Sequence, residues 1–200
     1  MKKSESGFTI VELAVVIFVI ALLATITLVS YAKITKNART AQTVSAATQW
    51  IKALGLYKVR NGTLPNFSGC LGRGYNYGYN NDQSSGTAQC RQKPDGTGVT
   101  SSTTNGSGQT LTSFLKSYVT SEPTPAFVTS GISTDWRRGI YYYTGATTAY
   151  IDVVYDGNFT TTSDCPSING VAIYQVISPV AGGTNNSVCS YTVGIFATYE

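Results

Sequence analysis

Histidine is absent from all 200 residues of this chain. Its absence removes the usual general base of Ser and Cys triads, the commonest zinc ligand and the ordinary protonation switch near neutral pH. Charge is scarce too. Asp, Glu, Lys and Arg make up 12% of the residues against 42% apolar, about half the charged share of an average soluble domain. The close CxxC spacing of zinc or thioredoxin-like sites is also missing. What fills the remaining surface is Thr, Ser, Asn and Gly, a neutral hydroxyl-rich and amide-rich covering that suits a secreted protein.

The four cysteines, Cys70, Cys90, Cys165 and Cys189, fall as two widely spaced pairs. Three disulfide pairings are possible. Cys70 with Cys90 and Cys165 with Cys189 is the favoured one, because each bond closes a Gly/Asn/Ser-rich loop that hydrophobic burial alone would not order. Such bonds imply an oxidising, extracytoplasmic location.

The formal charge of +4 and pI near 8.8 are unevenly distributed. Between Lys33 and Arg60 lie six basic residues and no acidic one, whereas the chain beyond Arg60 holds six basic and eight acidic residues. The basic character therefore belongs to one segment, and no global nucleic-acid signature follows. These bases are expected to meet lipid phosphates, solvent, or acidic surfaces of neighbouring copies such as those holding Asp152 and Asp156. Those two acids are the one close carboxylate pair in the expected sheet. Four residues apart on a strand, they share a face at about 13 Å, too far for paired carboxylate catalysis. Neither an enzyme nor a bound cofactor is expected.

The N-terminus carries the sharpest pattern. Residues 1–7 are short and polar with Lys2 and Lys3, and Phe8, Thr9, Ile10, Val11, Glu12 and Leu13 follow at once. No charge then occurs over residues 13–32. Twenty residues in a helix span the roughly 30 Å hydrocarbon core of a bilayer, longer than the apolar region of an ordinary secretory signal. Lysines or arginines flank both ends, so the positive-inside rule does not choose an orientation. Glu12 is the anomaly: a charge near the middle of a membrane costs on the order of 2.5–3.5 kcal/mol, so it needs a partner.

The run Gly7, Phe8, Thr9, Ile10, Val11, Glu12, Leu13 behind a basic leader resembles the class III signal of type IV prepilins and pseudopilins. The resemblance implies cleavage between Gly7 and Phe8 by a prepilin peptidase, methylation of the new Phe8 amine, and pairing of Glu12 with the Phe8 amine of a neighbouring subunit. It also supplies the orientation. Where major pilins often carry a helix-weakening Gly and Pro, this chain has Ala21 and Val29, which predicts a more continuous helix.

The resulting layout is a leader at 1–7, a transmembrane and assembly half-helix at 8–32, an amphipathic outer half at 33–61 and a headgroup at 62–200. Ile34, Ala38, Ala41, Val44, Ala47, Ile51 and Leu54 form the expected apolar stripe, packed on the headgroup's own sheet. Asn61, Gly62 and Pro65 end the helix. Residues 66–109 read as a long surface excursion. Within it Arg73, Gly74, Tyr75, Asn76, Tyr77, Gly78 and Tyr79 offer stacking platforms for a glycan or a single nucleic-acid strand, or packing against the next subunit. A short helix is expected at 110–119 through Leu111, Leu115 and Val119. Strands are expected at 139–143, 149–155, 171–177 and 191–198, joined as an antiparallel meander. The fold class is α+β, the long helix carrying a C-terminal antiparallel sheet. Asp156, Asn158 and Asp164 supply oxygens that would suit calcium, although their spacing is not that of an EF-hand. Asn61, Asn66, Asn105, Asn158 and Asn185 lie in Asn-x-Ser/Thr sequons.

The function implied by the resemblance is a major pilin serving adhesion or surface motility, with a minor pilin or a secretion or DNA-uptake pseudopilin as the alternative. The implied partners are copies of the same chain in a helical polymer, the prepilin peptidase, an inner-membrane assembly platform, the lipid bilayer before assembly, and a host-surface or glycan ligand. The implied location is the cytoplasmic membrane for the precursor and an extracellular filament thereafter.

Overall fold

A computed structural model describes residues 9–72, 76–78, 89–92, 110–126, 129–130, 133–138, 140–168, 170–177 and 186–195. The chain forms two compact units, Met1–Ala38 and Arg39–Glu200. Helix α1 is Ile10–Asn61, Ala21 and Val29 included.

In the first unit, Ile10, Val11, Leu13 and the aliphatic residues after them up to Leu28 are exposed. Three threonine hydroxyls here bond back to the helix itself. Thr25 donates to the Leu22 carbonyl at 2.7 Å, Thr27 to the Ala24 carbonyl at 2.8 Å and Thr35 to the Tyr31 carbonyl at 2.9 Å. Back-bonding of this kind lets threonine sit in an apolar surface without an orphan donor.

In the second unit, the outer part of α1 buries Thr43, Ala46, Ala47, Trp50, Ala53 and Leu54. This is a correction to the expected stripe. Ala47 and Leu54 are on the buried face and Val44 and Ile51 are partly buried, but Ile34, Ala38 and Ala41 are exposed. Trp50 is the residue the stripe missed. It is fully buried, and its indole N–H donates to the Pro123 carbonyl at 2.9 Å. Gln42 donates to the Thr124 carbonyl at 3.3 Å, and the Thr43 hydroxyl accepts from the Ala126 amide at 3.1 Å. Residues 123–126 are thus strapped to the helix. At the helix end Gly62 adopts φ +82° and its amide reaches the Lys58 carbonyl at 2.8 Å, the left-handed stop that glycine makes at low cost.

The strands are β1 (Gly69–Leu71), β2 (Asn76–Gly78), β3 (Gln89–Gln92), β4 (Thr129–Ser130), β5 (Ser133–Arg138), β6 (Ile140–Thr144), β7 (Thr148–Asp156), β8 (Ala172–Ile177) and β9 (Asn186–Ile195). Among the described residues they make a five-stranded antiparallel sheet in the order β1-β6-β7-β9-β8 and a four-stranded one in the order β2-β3-β5-β4. With the long helix first and the sheet after it, this is an α+β architecture, consistent with the fold expected from the resemblance.

Three expectations change. The sheet is not a meander, because β9 enters between β7 and β8. Residues 186–191 of β9 are buried without interruption, whereas β8 has no buried residue and leaves Ala172 and Tyr174 exposed. A strand covered on both faces takes the interior place, and one with an open face takes the edge. The expected strand at 191–198 starts earlier, as part of Asn186–Ile195, the polar residues Asn186, Ser187 and Ser190 having hidden its start, while 196–198 lie outside the described residues. The excursion at 66–109 is also not all loop: β1 pairs with β6, Leu71 opposite Ile140, and Gly69, Cys70 and Leu71 are all buried. Three residues are too few for periodicity to reveal.

The short helix is Leu111–Phe114, followed by a 3₁₀ turn at Lys116–Tyr118. Thr110 caps it, its hydroxyl accepting from the Ser113 amide at 3.3 Å. Leu111 and Leu115 are fully buried. They join Trp50, Leu54, Leu71, Ile140, Tyr142, Ile151, Val153, Tyr155 and Tyr191 in one core.

Candidate functional site

The sequence asks what partners Glu12. In the structure its carboxylate turns back on its own helix start. Glu12 Oε2 accepts from the Thr9 amide at 2.9 Å and from the Thr9 hydroxyl at 2.8 Å, while the Thr9 hydroxyl accepts from the Glu12 amide at 3.3 Å. This is a reciprocal capping box, built by a Thr-x-x-Glu spacing at the entrance of a helix. Thr9 is the functional neighbour that the sequence reading missed, and that spacing was the signal. Gly7 and Phe8 lie outside the described residues. Beyond Glu12, α1 is long and apolar enough to cross a membrane by length and composition.

All four cysteines are bonded. Cys70 joins Cys90 with Cα atoms 5.6 Å apart, and Cys165 joins Cys189 with Cα atoms 5.9 Å apart. The first bond ties β1 of the larger sheet to β3 of the smaller one. The second ties the middle of the β7–β8 connection to the buried part of β9, and both its cysteines belong to the main core.

Both acidic members of the candidate calcium set, Asp156 and Asp164, have partners within the chain. Asp164 caps a 3₁₀ turn at Thr162–Asp164, one carboxylate oxygen accepting from the amides of Thr160 and Thr161 at 2.9 Å each and from their hydroxyls at 3.3 and 3.2 Å. Those backbone hydrogen bonds hold its carboxyl below the usual carboxylate range. Asp156 faces Arg39, Nη1 to Oδ2 at 3.9 Å. Asn158 is exposed. Among the described residues no group of three or more acidic, Cys or His side chains is placed to hold a metal. Of the remaining motif residues, Arg73, Gly74, Tyr75 and Tyr79, together with Asn105 and Asn185, fall outside the described residues, and Asn76, Tyr77 and Gly78 form β2.

Asp152 is not available to a neighbour's bases, which corrects the surface role expected for it. It sits on β7, buried, and accepts a hydrogen bond from the Ser190 hydroxyl at 2.5 Å. Burial pushes its carboxyl up to about 7, against the pull of Ser190. Tyr143 packs beside it. Burial first, and the Asp152 charge second, push that phenol well above its ordinary range. Asp156 is half-buried and has a basic partner, but the partner belongs to the same chain.

Residues 2–28 match the family model described as the prokaryotic N-terminal methylation motif, the class III prepilin signal of type IV pilins and pseudopilins. The match covers the leader and the first part of the apolar run, and it implies processing by a peptidase and polymerisation into a pilus. No curated protein and no solved structure matches the chain.

Proposed function

We propose that this chain is a major pilin: a structural subunit, cleaved between Gly7 and Phe8 and methylated on Phe8, that polymerises into an extracellular type IV filament used for adhesion or surface motility. The observation that carries the reading is the methylation motif at residues 2–28 heading a helix whose aliphatic residues from Ile10 to Leu28 are exposed. A monomer in water would not leave that surface bare, whereas lipid before assembly and neighbouring helices after it would both cover it.

Glu12 is the registration device. In the unassembled subunit Thr9 satisfies its carboxylate locally. During assembly the Phe8 amine of a neighbour takes over, pairing two charges that are each costly alone in hydrocarbon. The headgroup, closed by two disulfides, is what the filament displays.

The test is to shear filaments from the native cells and determine intact mass and N-terminal sequence of the fibre protein. The reading requires this chain as the dominant species, beginning at methylated Phe8. A processed but scarce chain would make it a minor pilin or pseudopilin, and retention of residues 1–7 in the mature protein would overturn the assignment.

A further inference from the structure

Four tyrosines form a row on the face of the five-stranded sheet that looks away from the core. Tyr141 and Tyr143 alternate with the core residues Ile140 and Tyr142 on β6. Ring centroids are 6.0 Å apart between Tyr141 and Tyr143, 5.1 Å between Tyr143 and Tyr150, and 4.8 Å between Tyr150 and Tyr174. The first two pairs are stacked, at 16° and 22°, and the last is tilted at 44°.

The last contact is the unusual one, because it joins β7 to β8 across the strand between them. Two features allow it. Tyr150 stands opposite Thr192 on β9, a small side chain over which two rings can meet. Tyr174 falls in the register shift between Ile173 and Gln175; such a bulge re-aims a side chain out of the regular alternation. Tyr174 is 56% exposed, whereas Tyr141 at the other end of the row is buried. The row therefore runs from solvent into the protein.

We infer that Tyr150 and Tyr174 are a latent covalent cross-link, which a one-electron oxidant such as a peroxide-fed haem peroxidase converts into a dityrosine joining edge strand β8 to β7. The chain has no histidine and no free thiol to take the oxidation instead. Each phenol gives one electron to the oxidant and its O–H proton to water. The two radicals then form one carbon–carbon bond between ring positions ortho to the oxygens. The hydrogens on those carbons then leave as protons and the ring carbonyl oxygens take up protons, restoring two aromatic phenols. The net change is the loss of two hydrogens from the protein and the uptake of two electrons by the oxidant. Tyr141 and Tyr143 extend the stack, so an electron lost deeper in the row is replaced from the accessible end.

The test uses the full chain in dilute detergent micelles, treated with a photo-activated ruthenium complex and persulfate as the one-electron oxidant. The monomer band is expected to gain dityrosine fluorescence and lose two hydrogens in mass. Peptide mapping should link Tyr150 to Tyr174, and the thermal midpoint should rise. Tyr174→Phe keeps the ring and the stack but cannot form the phenoxyl radical, and its monomer fluorescence should fall to the untreated background, as should that of Tyr150→Phe. Linkage confined to pairs of chains, linkage through other tyrosines, or an undiminished monomer signal in both variants would overturn the inference.

Discussion

Ser190 on β9 donates its hydroxyl to Asp152 on β7 at 2.5 Å, across two strands whose register sets the pair directly opposite one another. The pair lies in a buried part of a central strand with no cation in hydrogen-bond reach among the described residues. Burial raises the Asp152 carboxyl from 3.8 to about 7 in the folded state. The folded protein therefore binds a proton that the unfolded chain has already released, and stability falls as pH rises from about 4 through about 7. Lifting a carboxyl that far corresponds to about 4 kcal/mol. Thermal unfolding of the full chain in detergent should lose stability over that window and level off above it. Asp152→Asn should flatten the profile there. Ser190→Ala removes a donor that favours the charged form, so the decline should extend to higher pH.

The capping box at the helix entrance separates two roles that one substitution would confuse. Thr9→Ala removes the hydroxyl but keeps the carboxylate, and should weaken the helix start by about 1 kcal/mol while filaments still form. Glu12→Ala removes the charge that the assembly reading requires. Subunits should insert, be cleaved and accumulate in the membrane, with no filaments in sheared fractions. Filaments of normal abundance from Glu12→Ala would remove Glu12 from the assembly mechanism.

The two disulfides close loops of similar length, with sequence separations of 20 and 24, so chain entropy alone predicts nearly equal contributions of about 3 kcal/mol each. Their surroundings differ. Cys165 and Cys189 belong to the main core, whereas Cys70 and Cys90 form a small cluster with Tyr141. Replacing Cys165 and Cys189 by serine leaves polar atoms in the core as well as releasing the loop. In urea titrations that double variant should therefore lose more stability than the double serine variant at Cys70 and Cys90.

Asp164 offers a direct check on the calcium reading. Its carboxylate is engaged by two amides and two hydroxyls of its own turn. Asp164→Ala removes the N3 half of the capping box with Thr161 and should lower stability slightly, equally in calcium and in chelator. A calcium-dependent rise in the wild-type melting temperature that vanishes in this variant would restore a metal role.

What the sequence made legible was whatever repeats or obeys a local rule. The apolar run, the Asn61–Gly62 stop, the β-branched and aromatic strands and the α+β order all rest on local composition and period. What escaped depends on distant partners. Trp50 is buried because residues 123–126 fold back over the helix, and no helical period announces a partner 73 residues away. Leu71 needs Ile140 opposite it, and Asn186 and Ser190 look like loop residues until the chains on both sides are in place. At the candidate site, Glu12 was conspicuous because a charge interrupts a greasy run. Thr9 was quiet because threonine there is unremarkable until its hydrogen bonds are seen.

The strap across the helix also dictates an order of events during synthesis. Thr43 and Trp50 are made early, yet the backbone groups they bind at Ala126 and Pro123 come 83 and 73 residues later, and the strands that cover Leu54 come later still. A chain built from its N-terminus at about 5–20 residues per second must keep this apolar patch unsatisfied for seconds while the rest is delivered. Long-range closure of this kind folds slowly, so the newborn subunit is most vulnerable to wrong association between the moment its anchor is in place and the arrival of its last strand.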